Sequence, residues 1–315
     1  MSILLYHPRA EAYRALLTAE CPDVPADEIV AVTPPAPPEP HLDTAEVLLT
    51  FQVPLEALRR AARLRWLQLT SAGADHLLPA REALRSVIVT NSRGIHADLM
   101  ADYVLGVVLM LRWDFPRLLR QQQGRQWRHQ YTAPLAGQTL GVVGVGAVGR
   151  EIARRAVAAR MTVLGMRRRP EPVEGVSRMF GPDQLSEMLP ACDVVVLVVP
   201  ATDATRGLVG ARELRAMRPT AHLVNVARGS VVDERALTQA LREGWIAGAA
   251  LDVFAREPLP PESPLWGMEN VIVTPHIAGE PADYPRRVMT IFAENLRRWR
   301  AGRPLLNVVD LDRGY

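Results

Sequence analysis

The stretch that most limits what this chain can fold into is residues 140–150, Leu-Gly-Val-Val-Gly-Val-Gly-Ala-Val-Gly-Arg. A short apolar strand runs into Gly-x-Gly-x-x-Gly (Gly144, Gly146, Gly149) and then into a helical pattern over 151–159. In that order the first glycine permits a tight turn and the second lets backbone approach a pyrophosphate. The third lets the helix lie close to the strand, while the helix N-terminus offers unpaired N–H groups to phosphate oxygens. Glycine triplets also occur in ordinary turns, but the strand before and the helix after favour a dinucleotide site, with Ala147 and Val148 inside it. Two features are unusual: the motif sits mid-chain, and the next strand, 162–166, runs into Arg167-Arg168-Arg169 rather than an acid.

A mid-chain nucleotide motif implies a folded unit ahead of it, and 315 residues suffice for two domains with a sizeable core. The first third alternates strand-like segments (3–6, 46–50, 66–69, 87–90) with helical ones (11–19, 55–62), a rhythm that predicts a parallel doubly wound sheet. The proline-rich run 32–40 reads as an extended surface connection. One long helix is expected over 98–119, then a polar loop over 121–135. A second series of strands follows at 139–144, 162–166, 194–199, 221–225, 247–252 and 271–274, and an amphipathic helix over 286–301 is ended by Gly302 and Pro304. The fold class expected is α/β with two doubly wound parallel-sheet domains.

Composition narrows the chemistry. All 37 Lys+Arg residues are arginine, which excludes Schiff-base lysine chemistry and a Walker-type phosphate loop. The formal charge of +3 is scattered through helices, so no nucleic-acid partner is expected. Cys21 and Cys192 cannot build a disulfide framework or a thiolate metal cluster, and a reduced cytoplasmic protein is the expectation. The opening segment reads as a first strand rather than a signal peptide. The longest apolar runs, 103–111 and 194–200, fall short of the ~20 residues a membrane-spanning helix needs.

Three segments just past strand ends can carry chemistry, because ligands collect beyond the carboxyl ends of strands in open α/β sheets. Arg228 follows the strand at 221–225 and can grip a carboxylate through two parallel bonds; taken alone it reads first as a surface arginine paired with a nearby acid. Asp252 ends a buried strand, where an unpaired carboxylate is costly, so it should meet a donor, either a nicotinamide carboxamide or a helix N-terminus. Glu257, before a proline, taken alone is a solvated loop carboxylate. His276, past the strand at 271–274, is the one histidine of seven so placed, and histidine suits proton delivery near neutral pH. The other six are assigned to structural roles.

Together these segments resemble, in order and over nearly the whole chain, the D-isomer-specific 2-hydroxyacid dehydrogenase family, which includes glyoxylate/hydroxypyruvate reductases. Residues 71–76 (Ser-Ala-Gly-Ala-Asp-His) look like the family's substrate loop and 200–205 like the loop along the cofactor. Segments 224–229, 248–258 and 271–279 look like its three catalytic segments, and 302–310 like its terminal signature. The resemblance implies a Rossmann cofactor domain, 98–283, inserted into a split flavodoxin-like substrate domain, 1–97 with 284–315, closing over a cleft. It implies Arg228 on the substrate carboxylate, His276 as proton donor, Glu257 as its partner and Asp252 facing the nicotinamide amide. It further implies cofactor contacts at Pro200, Thr205, Val226 and Ala227, backbone donors at Ala72 and Gly73, and a homodimer formed around 98–135. Phe51, Tyr284 and Arg287 are further substrate-pocket expectations, with packing or hinge roles the alternative for each.

About 20 residues past the first glycine, where an acid usually takes the ribose hydroxyls, stands Arg167. Arginine cannot accept those protons but suits a 2′-phosphate, so NADP(H) is expected over NAD(H), with Arg167 and Arg168 as phosphate ligands; the plainer alternative is three solvated arginines. The leading expectation is a reductase of small 2-keto acids. The alternatives are a phosphite-type dehydrogenase on the same scaffold and a non-catalytic, cofactor-sensing corepressor-like protein.

Overall fold

Strand β1 (Ile3–Tyr6) shows how the N-terminal sheet is built, since its four residues are all buried and leave the backbone on alternate faces. On one face Ile3 and Leu5 meet Tyr13 and Leu17 of helix Ala10–Glu20 and Val288, Phe292 and Leu296 of helix Tyr284–Arg300. On the other face Leu4 and Tyr6 meet Leu42, Leu58 and Leu77. The continuous apolar runs of β1, β3 (Val47–Thr50) and β4 (Trp66–Leu69) are what a parallel sheet covered on both sides requires. With β2 (Ile29–Val32) and β5 (Ile88–Thr90) they form a five-stranded parallel sheet in the order β2-β1-β3-β4-β5.

The computed structural model describes residues 1–39 and 41–314. The chain divides into two compact units, Met1–Ile95 with Pro281–Tyr315, and His96–Glu280. In the first unit the C-terminal tail is pinned by Asn295, which is fully buried. Its amide donates to the Leu306 carbonyl at 3.1 Å and accepts the Leu306 N–H at 2.7 Å. The tail then runs antiparallel to β5: Asn91 N–H donates to the Asn307 carbonyl at 3.2 Å and Val309 N–H to the Val89 carbonyl at 2.8 Å.

The second unit is a seven-stranded parallel sheet. Its strands are β6 (Thr139–Val143), β7 (Thr162–Met166), β8 (Arg178–Phe180), β9 (Val194–Leu197), β10 (His222–Asn225), β11 (Gly248–Leu251) and β12 (Val271–Val273). The order is β12-β11-β10-β9-β6-β7-β8, so the chain winds outward in one direction from β6 and in the other from β9. That reversal opens a crevice at the carboxyl ends of β6 and β9, where ligands of such sheets bind. Helices Ala97–Arg112 and Ala147–Ala158 cover one face through Val104, Val108, Ile152 and Ala156, and helix Glu234–Glu243 covers the other through Leu237 and Leu241. Among the described residues no helix is long and apolar enough to cross a membrane.

The fold class matches the expectation, and most strands begin and end within one or two residues of it. Three expectations are corrected. The long helix over 98–119 is two helices, Ala97–Arg112 and Phe115–Gln123, separated at Asp114, whose φ is 53°. Pro116 explains the break: in a continued helix its ring would strike the carbonyl of residue 112 and an N–H would be missing. The second helix also takes up 121–123, leaving a shorter loop. Strands β2 and β8 were not expected; they are the two edge strands on their sides of the sheets, and short edges carry weak apolar signals. The run at 32–40 is not extended throughout: Val32 belongs to β2 and a turn occupies 34–36, while Pro40 lies outside the described residues.

Candidate active site

The glycine loop leaves β6 with Gly144 at φ 112°, a conformation that disfavours any side chain. A Cβ there would also stand 2.8 Å from the Val198 carbonyl. At Gly149 a Cβ would come within 2.2 Å of the Gly144 carbonyl oxygen, so the protein's own packing demands both residues. Gly146 is different: a Cβ would meet nothing within 4 Å. Exposed Gly146 and Ala147 open the helix Ala147–Ala158, which no side chain caps. The cradle over a free helix N-terminus, with room held open for another molecule, fits the pyrophosphate of a dinucleotide.

Arg167 follows β7. Its Nη2 donates to the Glu171 carboxylate at 2.8 Å and to the Glu171 carbonyl at 3.2 Å, while its Nε is buried without a hydrogen-bond partner. Arg168 is exposed. After β9, the Thr205 hydroxyl donates to the Pro200 carbonyl at 2.6 Å and accepts the Thr202 N–H at 2.8 Å, which closes the 200–205 loop on itself. Val226 and Ala227 are buried at the end of β10.

The three catalytic candidates leave neighbouring strands. β10, β11 and β12 pair in register as Asn225, Leu251 and Val273, so their next residues emerge side by side. Buried Asn225 shapes the first turn, its amide donating to the Arg228 carbonyl at 3.1 Å and accepting the Ala227 N–H at 3.1 Å. Gly229 then lies so close to the second segment that a Cβ would be 1.9 Å from the Phe254 carbonyl carbon. Only glycine permits that approach, which brings the arginine turn onto the segment carrying Glu257. The Arg228 guanidinium donates to the Ala227 carbonyl at 2.8 Å.

Glu257 is held at both oxygens: one accepts the Phe254 N–H at 3.0 Å, the other meets His276 Nδ1 at 2.7 Å. With Nδ1 committed to the carboxylate, Nε2 is the ring nitrogen left for other chemistry. The solvated-loop reading of Glu257 is therefore set aside. His276 itself sits at φ 55°, an uncommon backbone conformation for a residue with a side chain.

Asp252, 2% exposed, explains how that conformation is maintained. One carboxylate oxygen accepts the Thr274 hydroxyl at 2.6 Å and the Ile277 N–H at 2.9 Å; the other accepts the Ala278 N–H at 2.9 Å. Its carbonyl accepts the His276 N–H at 2.9 Å. The donor predicted for Asp252 exists: it is not a helix N-terminus but the loop that carries His276. Thr274 and Tyr103 were missed by the sequence reasoning. The Thr274 proton goes to Asp252, so the Tyr103 phenol, 2.7 Å away, is the donor to Thr274. Burial pushes the Tyr103 hydroxyl up to about 12, keeping it protonated for that task. No local signal links two residues 171 positions apart.

In the other unit the loop at 71–73 is tied down by Ser71 Oγ donating to the Gly73 carbonyl at 2.8 Å and Asn91 Nδ2 donating to the Ala72 carbonyl at 2.6 Å. Phe51 is 45% exposed beside the His76 ring. The Tyr284 hydroxyl donates to the Thr70 carbonyl at 2.9 Å, and Arg287 bonds Asp283 and the Ile95 carbonyl.

Residues 105–278 match the model of the D-isomer specific 2-hydroxyacid dehydrogenase NAD-binding domain. The chain is 34% identical to a glyoxylate reductase of Korarchaeum cryptofilum, over 85% of this chain and 82% of that protein. It is 31% identical to glyoxylate/hydroxypyruvate reductase A of Serratia proteamaculans, over the full length of both. Among solved structures, a D-isomer specific 2-hydroxyacid dehydrogenase from Xanthobacter autotrophicus Py2, in complex with NADPH and MES, superposes with a TM-score of 0.90 at 36% identity, covering 100% of this chain and 99% of that one. With the glycine cradle at the sheet's switch point and Arg228, Glu257 and His276 on adjoining strand ends, this chain belongs to the D-isomer specific 2-hydroxyacid dehydrogenase family of nicotinamide-dependent oxidoreductases.

Proposed function

We propose that this enzyme reduces small 2-keto acids to D-2-hydroxy acids, and runs the reverse oxidation, with NADP(H) preferred over NAD(H). The reduced nicotinamide, when bound, supplies the hydride; the chain supplies position, charge and the proton. Arg228 grips the α-carboxylate and polarises the keto oxygen with the same guanidinium. His276 Nε2 gives a proton to that oxygen while the carbonyl carbon takes the hydride, and recovers it in the oxidation. Glu257, anchored on the Phe254 N–H, keeps the imidazole in the tautomer and orientation that turn Nε2 outward. In the first unit, the backbone N–H groups of Ala72 and Gly73 are assigned to the substrate carboxylate and Phe51 to its side chain.

The observation that carries this reading is the 2.7 Å contact between His276 and Glu257, on strand ends next to that of Arg228. Keto-acid reduction is the activity named for the Korarchaeum and Serratia relatives. The NADP(H) preference is supported by Arg167 and Arg168 at the end of β7 and by the NADPH bound to the Xanthobacter relative. Steady-state rates with glyoxylate, hydroxypyruvate and phenylpyruvate, each with NADPH and NADH, test both statements. Turnover with none of the acids overturns the reaction, and equal or better kcat/KM with NADH overturns the preference. We also assign the exposed Leu109, Trp113, Phe115 and Leu119 to contact between two copies in a homodimer, which sedimentation of the intact chain tests.

A further inference from the structure

The end of β7 holds a charge arrangement that the 2′-phosphate reading does not by itself explain. Arg167 is not simply a cation waiting for an anion. The turn at 169–171, closed by the Glu171 N–H donating to the Arg169 carbonyl at 2.9 Å, brings Glu171 back onto the guanidinium. The Glu171 carboxylate meets Nη2 alone, at 2.8 Å, and leaves the neighbouring Nε buried and unmatched. Burial of an unpaired N–H is costly, so the pairing is incomplete on the edge of the fork that carries Nε and Nη2. That edge is the one a phosphate or carboxylate grips in two parallel bonds. The two partners also differ in exposure: the Arg167 side chain is 20% exposed and the Glu171 side chain 70%. Moving Glu171 into water therefore costs little, since an ion pair with one partner so exposed is weak.

We propose that Glu171 is an internal counterion that a 2′-phosphate displaces, and that the Arg167–Glu171 pair sets how strongly the site discriminates between phosphorylated and unphosphorylated dinucleotide. The inference rests on the reading that the end of β7 meets the adenosine ribose. With a 2′-hydroxyl, Glu171 stays on Arg167, the guanidinium keeps its counter-charge, and NADH is tolerated. With a 2′-phosphate, the dianion takes Nε and Nη2 together and Glu171 swings out, repelled by a like charge. Glu171 thus weakens NADPH binding and supports NADH binding, and its removal widens the gap between them.

The test is calorimetric titration of the intact enzyme with adenosine 2′,5′-bisphosphate and with adenosine 5′-monophosphate, for wild type, Glu171→Gln, Glu171→Ala and Arg167→Gln. Loss of one negative charge a few ångströms from a dianion at a solvated site strengthens binding about threefold to tenfold. Both Glu171 variants are therefore expected to bind the bisphosphate that much tighter, with the monophosphate unchanged or weaker. The gain should shrink as salt is raised. Arg167→Gln should abolish the preference for the bisphosphate. A wild-type preference that neither Glu171 variant changes overturns the counterion role and leaves the 2′-phosphate reading standing. Equal binding of the two nucleotides by wild type, with no effect of Arg167→Gln, overturns that reading and the counterion role with it.

Discussion

Replacing Asp252 with asparagine tests how the loop that carries His276, the proposed proton donor, is held. The carboxylate accepts three hydrogen bonds from that loop while 2% exposed. Asparagine is nearly the same size but has one acceptor oxygen and a donating amide. If its oxygen keeps Thr274 and Ile277, its NH2 faces the N–H of Ala278, which is itself buried. An unsatisfied buried donor costs about 1–3 kcal/mol. The two retained bonds lose their charge assistance, about 1 kcal/mol each. The native loop conformation is therefore raised by about 3–5 kcal/mol. Ile277 is already 49% exposed, so the loop can escape that cost by leaving its seat rather than by unfolding the sheet. Displacement removes His276 from its place, so kcat is expected to fall by about 10²–10³, while KM for keto acid and cofactor stays within a few-fold. Urea unfolding should register a smaller loss, because a detached loop sheds most of the strain before the global transition. Wild-type kcat would refute the reasoning outright. A raised cofactor KM at normal kcat would show that Asp252 acts on the nicotinamide amide instead.

Other outcomes follow from the same geometry. His276→Gln should lower kcat by about 10²–10⁴ with little change in KM, since the proton is needed only in the transition state; near-normal turnover would identify another donor. Gly229→Ala forces the arginine turn away from Phe254, at about 1–3 kcal/mol and about 2–4 °C in Tm per kcal/mol, together with loss of activity; a variant as active and stable as wild type would show that the close approach is dispensable. Burial and Arg112 lower His222 from 6.5 to about 4, so below pH 6.5 the unfolded chain takes up a proton that the native one refuses. Stability is full above 6.5 and falls as pH drops toward 4, with a ceiling of about 2 kcal/mol at pH 5 because the ring is only partly buried. His222→Gln should reduce that slope in urea titrations at pH 7 and 5, and parallel slopes would exclude His222 as a source; His7, also lowered to about 4, contributes in the same direction.

The glycine loop was legible because its meaning is local: strand, turn and helix follow within a dozen residues. The strand ends bearing Arg228, Asp252 and His276 were legible as positions, though each residue alone stayed ambiguous until the β10-β11-β12 register placed them side by side. What stayed hidden was pairing across long separations. Asp252 reads as an acid at the end of an apolar strand, and nothing nearby says that its donors lie 25 and 26 residues on. Tyr103 reads as one more apolar helix position. The missed strands Ile29–Val32 and Arg178–Phe180 are short and gain their order from a single neighbour, and the helix break at Asp114 followed from Pro116 against an otherwise continuous apolar pattern.

The tail that Asn295 pins has a bearing on solubility. A terminal strand such as β5 presents a row of N–H and C=O groups that invites another chain to add on and grow an aggregate. Residues 307–309 occupy that row from within the same molecule. Cutting the chain back past Leu306, or straining this segment with a fused tag, uncovers an adhesive β-edge in the first unit, whereas Arg228, Glu257 and His276 belong to the second. Such a preparation would lose material to precipitation before it lost catalytic competence per folded molecule.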